Sequence, residues 1–353
     1  MGIFRTIVFS RTPLRKVFRY KEVFQLVPYT DEFEPKVSKY AVDYPCFLEY
    51  SMPDVKDGIR DVEAEWLREH EICTLLTAFS EYRVFMYDIH AFSWGVKFPV
   101  YCLDYFQSGK EELDHDLLNE KAEFYHPGFY YKDVNHLLKE NEYSVAEEEQ
   151  MMKLKEHSSL YTSFEENRCD TRNKDAELCF AKDIVQCLDV YFGLNVDVRS
   201  KVYSSARLIY DSIELMGYRH SLSLLAGVAA LETMANLMTK DEDKVVEACG
   251  SCHAIASSPY TCKECGRPIW GVTKKVIEFL KEFVSSEEDD VKNYKNIYNL
   301  RSKITHTGDI FLEDTVFWEK REQGVKQFEI GCKVIEYARR GIVGVLRSGK
   351  VGE

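Results

Sequence analysis

The stretch CGSCHAIASSPYTCKECGRP, residues 249–268, carries two Cys-x-x-Cys steps, and no other feature so narrows what its part of the chain can fold into. A step of this length turns the backbone so that two thiolates face one ion, and a second step completes a tetrahedral sulfur shell. Cys249, Cys252, Cys262 and Cys265 are therefore the expected ligands of a structural Zn2+, held in a ribbon-like insertion at 248–268. An iron–sulfur cluster would draw on the same four thiolates. With four sulfurs bound the metal has no open position, so it is expected to fold a loop too polar to fold alone rather than to activate water. His253 directly follows the second cysteine and is expected to lie outside the shell.

The other seven cysteines, Cys46, Cys73, Cys102, Cys169, Cys179, Cys187 and Cys332, sit mostly among apolar neighbours and read as small buried hydrophobes. Their spread through 353 residues, with no export signal at the N-terminus, points to a reducing cytoplasm rather than a secreted disulfide framework. The start MGIFRT matches the loose acylation pattern, which is too short to carry an assignment. The longest apolar run, Ser221 to Met238, contains Glu232 in its middle and reads as a buried helix, so no membrane contact is expected. A formal charge of −13 excludes a protein that coats nucleic acid nonspecifically, because phosphate binding needs clustered Lys and Arg.

The length suggests two domains. Up to about residue 170, short aromatic and β-branched runs (RTIVFS, CFLEYSM, RVFMYDIHAFSWGVKFPVY) alternate with breaks at Pro45, Pro53 and Pro99 and read as strands. Between them, Asp61 to Ser80 places Val62, Trp66, Leu67, Ile72, Leu75 and Leu76 near helical spacing. The segment from Ser158 to Glu177 turns polar, as a linker would. Everything after it reads as helix. Leu178, Ala181, Ile184, Val185 and Leu188 form one stripe that stops near Gly193, and five further candidate helices follow, with ends marked by Gly217, Gly308 and the acids Asp289 and Asp290. The expected fold class is α+β: an N-terminal mixed domain over 1–170, then an all-α bundle over 171–353 interrupted by the cysteine ribbon. The first domain shows no nucleotide-binding glycine loop, nucleophile elbow or metal-ligand spacing.

In IYNLRSKITHTGD, Arg301 and His306 have four residues between them. Five helical positions leave two side chains about 140° apart, so the pair shares a face only if the helix ends there or the arginine wraps around it. This stretch, preceded by an apolar helix with AALETM and set in a five- or six-helix region, resembles the HEPN superfamily, and most of all its Apea-like branch. The Arg-x(4–6)-His motif of that family matches Arg301 and His306, and the resemblance covers roughly residues 172–353. The cysteine insertion is not part of the motif.

What the resemblance implies is a metal-independent endoribonuclease that dimerises so that two Arg–His pairs meet in a cleft. The residues suit that chemistry. Attack by the neighbouring 2′-hydroxyl needs a proton acceptor that works near neutrality, which histidine is, and a fixed cation for the charge that grows on the phosphorane oxygens. A planar guanidinium fills the second role better than an ammonium. Asn299, Ser302 and Tyr298 lie beside the pair and are candidates to orient phosphate or imidazole, while a carboxylate at Glu232 needs a partner, for which Arg301 is the obvious choice. The family's tyrosine-bearing toxin variant is not matched, because Gly308 stands two places after the histidine. RNA binding in so acidic a chain requires Arg199, Lys201, Arg207, Lys274, Lys275, Lys292, Lys295, Arg339 and Arg340 to gather at the cleft. The resemblance further implies an antiphage or abortive-infection nuclease that attacks RNA such as tRNA, answers a phage-derived trigger and is held in check by residues 1–170. The alternative is a non-catalytic helical module that binds RNA or protein. A DNA-binding regulator built on the ribbon is disfavoured by the acidic flanks KDEDKVVEA and SSEEDD.

Overall fold

A computed structural model describes residues 2–29, 44–52, 62–80, 82–86, 136–137, 142–156, 177–239, 249, 251–254, 262, 264–266, 272–315 and 321–351. The contacts divide into two compact units, the first holding the strands and most of the first helix, the second holding the helices from Ala181 onward. The chain is thus α+β. The expected boundary at 170/171 lies outside the described residues, as do Cys102, Cys169 and most of the aromatic run after Phe85.

The first unit is built on an antiparallel sheet of β1 (Gly2–Ser10), β2 (Phe18–Tyr20), β3 (Phe24–Pro28), β4 (Tyr44–Met52), β5 (Val84–Phe85) and β6 (His136–Leu137). The order is β2-β3-β4-β1-β5, and β6 also pairs with β1. β1 and β4 are buried along nearly their whole lengths, so apolar residues do not strictly alternate with polar ones in either. One row across the sheet is polar instead. Arg19 lies opposite Gln25, Gln25 opposite Glu49, and Glu49 opposite Arg5. A carboxylate with no exposed surface survives there because it is saturated with donors: Arg5 Nε at 2.9 Å, Gln25 Nε2 at 2.6 Å and the Ser144 amide at 2.9 Å, with the Ser144 hydroxyl added. Burial alone would push the Glu49 carboxyl up, but the bonds from Ser144, Arg5 and Gln25 outweigh it and hold the group below its ordinary value.

Helix α1 (Val62–Phe79) forms where the apolar spacing placed it, but its faces differ from expectation. Trp66 and Leu67 are exposed, at 52% and 54%, whereas Glu65 and Glu69 are buried along with Ile72, Leu75 and Leu76. The reason is a polar partner on the sheet: the Tyr50 hydroxyl donates to Glu69 at 2.8 Å, which keeps an acidic stripe inward and turns the aromatic one out.

The second unit contains α2 (Ile184–Gly193), α3 (Val196–Leu215), α4 (His220–Met238), α5 (Val272–Phe283), α6 (Glu288–Thr307) and α7 (Arg321–Ser348). Leu178 and Ala181 are buried as expected, yet they precede α2, which starts only at Ile184. α3 and α4 form a hairpin joined by reciprocal serine bonds: each of Ser212 and Ser223 donates its hydroxyl to the other's carbonyl, at 2.7 and 2.6 Å. α7 packs on all five other helices of this unit. A Cβ at Gly227 of α4 would meet Val334 of α7 at 2.5 Å, so this crossing needs glycine. α4 is the one described helix long and apolar enough to cross a membrane, and half of that stretch is buried within the protein. Cys46, Cys73, Cys179, Cys187 and Cys332 are all buried.

Candidate metal centre and the arginine–histidine helix end

Both cysteine steps fold as matching turns. The His253 amide donates to the Cys249 carbonyl at 2.8 Å, and the Gly266 amide to the Cys262 carbonyl at 2.8 Å. In each the residue after the second cysteine takes a left-handed conformation, with φ of 57° at His253 and 69° at Gly266. The turns bring four sulfurs within 4.8 Å of one another, with Cys249–Cys265 and Cys252–Cys262 each 3.5 Å apart. Cys249 and Cys262 are buried, Cys252 and Cys265 exposed.

The electrostatics of the cluster suit a cation. Backbone amides of Ser251 and Cys252 point at the Cys249 sulfur and lower that thiol to about 6. At Cys252 the Ala254 amide also favours the thiolate, but the adjoining sulfurs of Cys262, Cys249 and Cys265 override it and push the thiol up to about 12. One thiolate forms readily and the next is resisted by its neighbours, a resistance that a metal placed among the sulfurs would relieve. The donor set is all sulfur and closed, and it can hold a metal.

Helix α6 carries the second candidate site. Glu288, Asp289 and Asp290 begin it, where acids complement the helix dipole, and Gly308 ends it with φ 73°. Tyr294, Ile297, Tyr298 and Ile304 are buried and define its inner face. Arg301 belongs to that side. Its guanidinium lies 3.7 Å from a Glu232 oxygen on α4, an ion pair too long for a hydrogen bond, with side-chain exposures of 34% and 21%. The Tyr298 hydroxyl donates to the same Glu232 oxygen at 3.2 Å. Burial, followed by the nearby Glu232 carboxylate, raises the Tyr298 hydroxyl far above its ordinary range, so it remains a proton donor.

His306 does not join this cluster. It is exposed, as are Asn299 and Ser302, and all three fall with Lys295 and Lys303 on the opposite, solvated arc of α6. The structure therefore brings Arg301, Glu232 and Tyr298 together and leaves His306, Asn299 and Ser302 about 140°, 160° and 100° around the helix from Arg301.

The expected gathering of basic residues is incomplete. Arg339 is buried at 1% exposure, because it lies on the inner stripe of α7 with Ile335, Ala338 and Ile342. Arg340 is held by Glu336 at 3.1 Å, Arg207 by Asp211 at 3.0 Å, and Lys292 by Asp289 at 3.2 Å.

Two residues with no motif around them also shape this end of the unit. Asp314 accepts from the His220 and Ser221 amides at 2.8 and 2.6 Å, and the Ser221 hydroxyl accepts from the Phe311 amide at 2.7 Å. These contacts join positions 90 to 94 residues apart in sequence, and local pattern gives no sign of them.

No protein-family model, curated protein or solved structure matches this chain.

Proposed function

We propose that the chain is a HEPN-type endoribonuclease that cleaves RNA through attack by the 2′-hydroxyl, with a structural Zn2+ in the cysteine ribbon. The observation that carries the reading is the division of labour on α6: a guanidinium set by Glu232 and Tyr298, and a solvent-facing imidazole one and a half turns further on. His306 takes the proton of the 2′-hydroxyl as its oxygen bonds to phosphorus. The P–O5′ bond breaks, the departing oxygen gains a proton, and the products carry a 2′,3′-cyclic phosphate and a 5′-hydroxyl. Arg301 stabilises the charge on the non-bridging oxygens, and Asn299 and Ser302, on the arc of His306, orient the phosphate.

One helix holds the two groups on different sides, so the complete site takes Arg301 from one protomer and His306 from its partner. A surface suited to that second copy exists at the same end of the unit. Tyr218, Leu222 and Ile310 are exposed at 62%, 50% and 46%, and the bond from Phe311 to Ser221 joins the residues next in sequence to Ile310 and Leu222. The first unit would regulate the nuclease in antiphage defence, responding to a phage-derived trigger in the cytoplasm.

The test is cleavage of total tRNA and of a long single-stranded RNA by purified protein, without added divalent cations, alongside Arg301→Ala and His306→Ala. RNA cut by the wild type alone, leaving cyclic-phosphate ends, is the expected result. Equal mixing of the two inactive variants, with free exchange of protomers, should restore about one quarter of the activity if each site is shared between protomers. The separation of Arg301 from His306 around α6 favours a second reading, a non-catalytic module that binds RNA or protein. Tight RNA binding without cleavage in any of the three proteins would select it.

A further inference from the structure

The last turn of α6 bears His306, and the last turn of any helix lacks amide partners for its carbonyls and tends to fray. Here Thr305 and Thr307 donate their hydroxyls back to the carbonyls of Arg301 and Lys303, at 2.9 and 2.7 Å, which ties the turn to itself. Gly308 then reverses the chain in the left-handed conformation. Beyond it the chain is bolted down at three successive points. The Phe311 amide donates to the buried Ser221 hydroxyl, with the Phe311 ring itself fully buried near Met216. The Leu312 amide donates to Gln327 on α7 at 3.0 Å. The Asp314 carboxylate caps α4 by accepting from its first two amides.

Ser221 is the shared member, since its amide is taken by Asp314 and its hydroxyl by Phe311. The start of α4 and the end of α6 are therefore one clasped unit. α4 is also the helix that carries Glu232, which holds Arg301. Through the clasp, the His306 end of α6 and the Arg301 pairing are fixed to the same rigid element.

We infer that Asp314 and Ser221 are positioning residues for His306, a role that deepens and rests on the ribonuclease reading. Neither side chain touches the imidazole; they act by suppressing opening of the turn that carries it. Losing a cap of this kind corresponds to roughly a tenfold change in an opening equilibrium.

The experiment compares the full-length wild type with Asp314→Ala and with the milder Ser221→Ala, which keeps the Ser221 amide and removes only the acceptor for Phe311. Amide hydrogen exchange is followed across residues 304–315, together with single-turnover cleavage and RNA affinity. The expected result is exchange about tenfold faster at 304–312 in both variants, with the cleavage step slowed by a similar factor and RNA affinity within twofold of wild type. Asp314→Asn, which retains one acceptor oxygen, should recover part of the rate.

Unchanged exchange at 304–312 in the folded variants overturns the inference, and so does accelerated exchange with wild-type cleavage. Should Asp314→Ala not fold, Ser221→Ala decides the matter by the same readings. Should the wild type cut no RNA, the ribonuclease reading fails by itself, and the exchange at 304–312 still shows whether the clasp holds the His306 turn.

Discussion

Tyr298 and Glu232 meet through one hydrogen bond of 3.2 Å from phenol to carboxylate, and that bond ties α4 to the middle of α6. The same oxygen faces Arg301, so Glu232 serves two partners of unlike kind. Replacing Glu232 with glutamine keeps an acceptor for Tyr298 and removes the charge opposite Arg301. Because both ion-pair partners are partly exposed, the stability loss should be at most about 1 kcal/mol, measured as a small shift in urea midpoint. Cleavage should fall further than that, because the guanidinium is no longer aimed. A Glu232→Gln protein as active as wild type would remove Glu232 from the site.

The cysteine cluster makes a prediction about which thiols react. Burial pushes Cys46 and Cys187 up to about 12 and raises Cys73 well above its ordinary value, so these thiols stay protonated and sealed in the folded chain. With metal bound, iodoacetamide at pH 8 should label none of the described cysteines quickly. After treatment with a strong chelator, the four cysteines of the cluster should react first, while Cys46, Cys73, Cys179, Cys187 and Cys332 wait for denaturant. Mass spectrometry of the alkylated peptides reads the order, and metal analysis should return one zinc per chain. Acidification should release the metal, since protons compete with it for sulfur.

How much of this could be read from sequence depends on how local each signal is. The cysteine turns were legible because spacing alone dictates that geometry. The helices of the second unit were legible too, since apolar period and end residues such as Gly308 and Asp289 are local. The inward faces were not. Trp66 and Leu67 lie outward because Tyr50, 19 residues before Glu69 and on β4, offers Glu69 a hydrogen bond, a fact no periodicity contains. Arg339 was read as a surface cation and is buried, because charge identity says nothing about which stripe of α7 a residue occupies. The Asp314 cap joins distant segments and had no local mark at all.

Glu49 gives the clearest pH dependence. Its carboxyl is held below its ordinary value in the folded chain, chiefly by Ser144, Arg5 and Gln25 acting against burial. A lowered folded value means that its stabilisation is complete above the unfolded value of about 4.3 and is lost as pH falls through the folded one. Asp290, lowered by bonds from Ser285 and Tyr337 against its own burial, adds in the same direction. Urea midpoints should therefore hold steady from pH 7 to 5 and drop below pH 4. Glu49→Gln should cost about 3 kcal/mol at pH 7, since it leaves Arg5 inside without its counter-charge, and should flatten the acid limb. An acid limb that Glu49→Gln leaves unaltered would place the titration elsewhere.

The two cysteine turns share one backbone bond pattern and differ in the residue that follows the second cysteine. Where the second turn has Gly266, the first has His253 in the same left-handed region, a conformation that costs a side-chain-bearing residue roughly 1–2 kcal/mol. Glycine would remove that strain and return about 0.5–1 kcal/mol of it as extra freedom in the unfolded chain. His253→Gly should therefore tighten metal binding by no more than about tenfold, and His253→Val, which is branched at Cβ, should weaken it. Competition with a chromophoric zinc chelator measures both. His253 is exposed and contributes no sulfur, so strain is the only effect through which it touches the metal in this geometry. Metal binding weakened in His253→Gly would instead show that the imidazole itself supports the centre, and that the strained turn is kept for it.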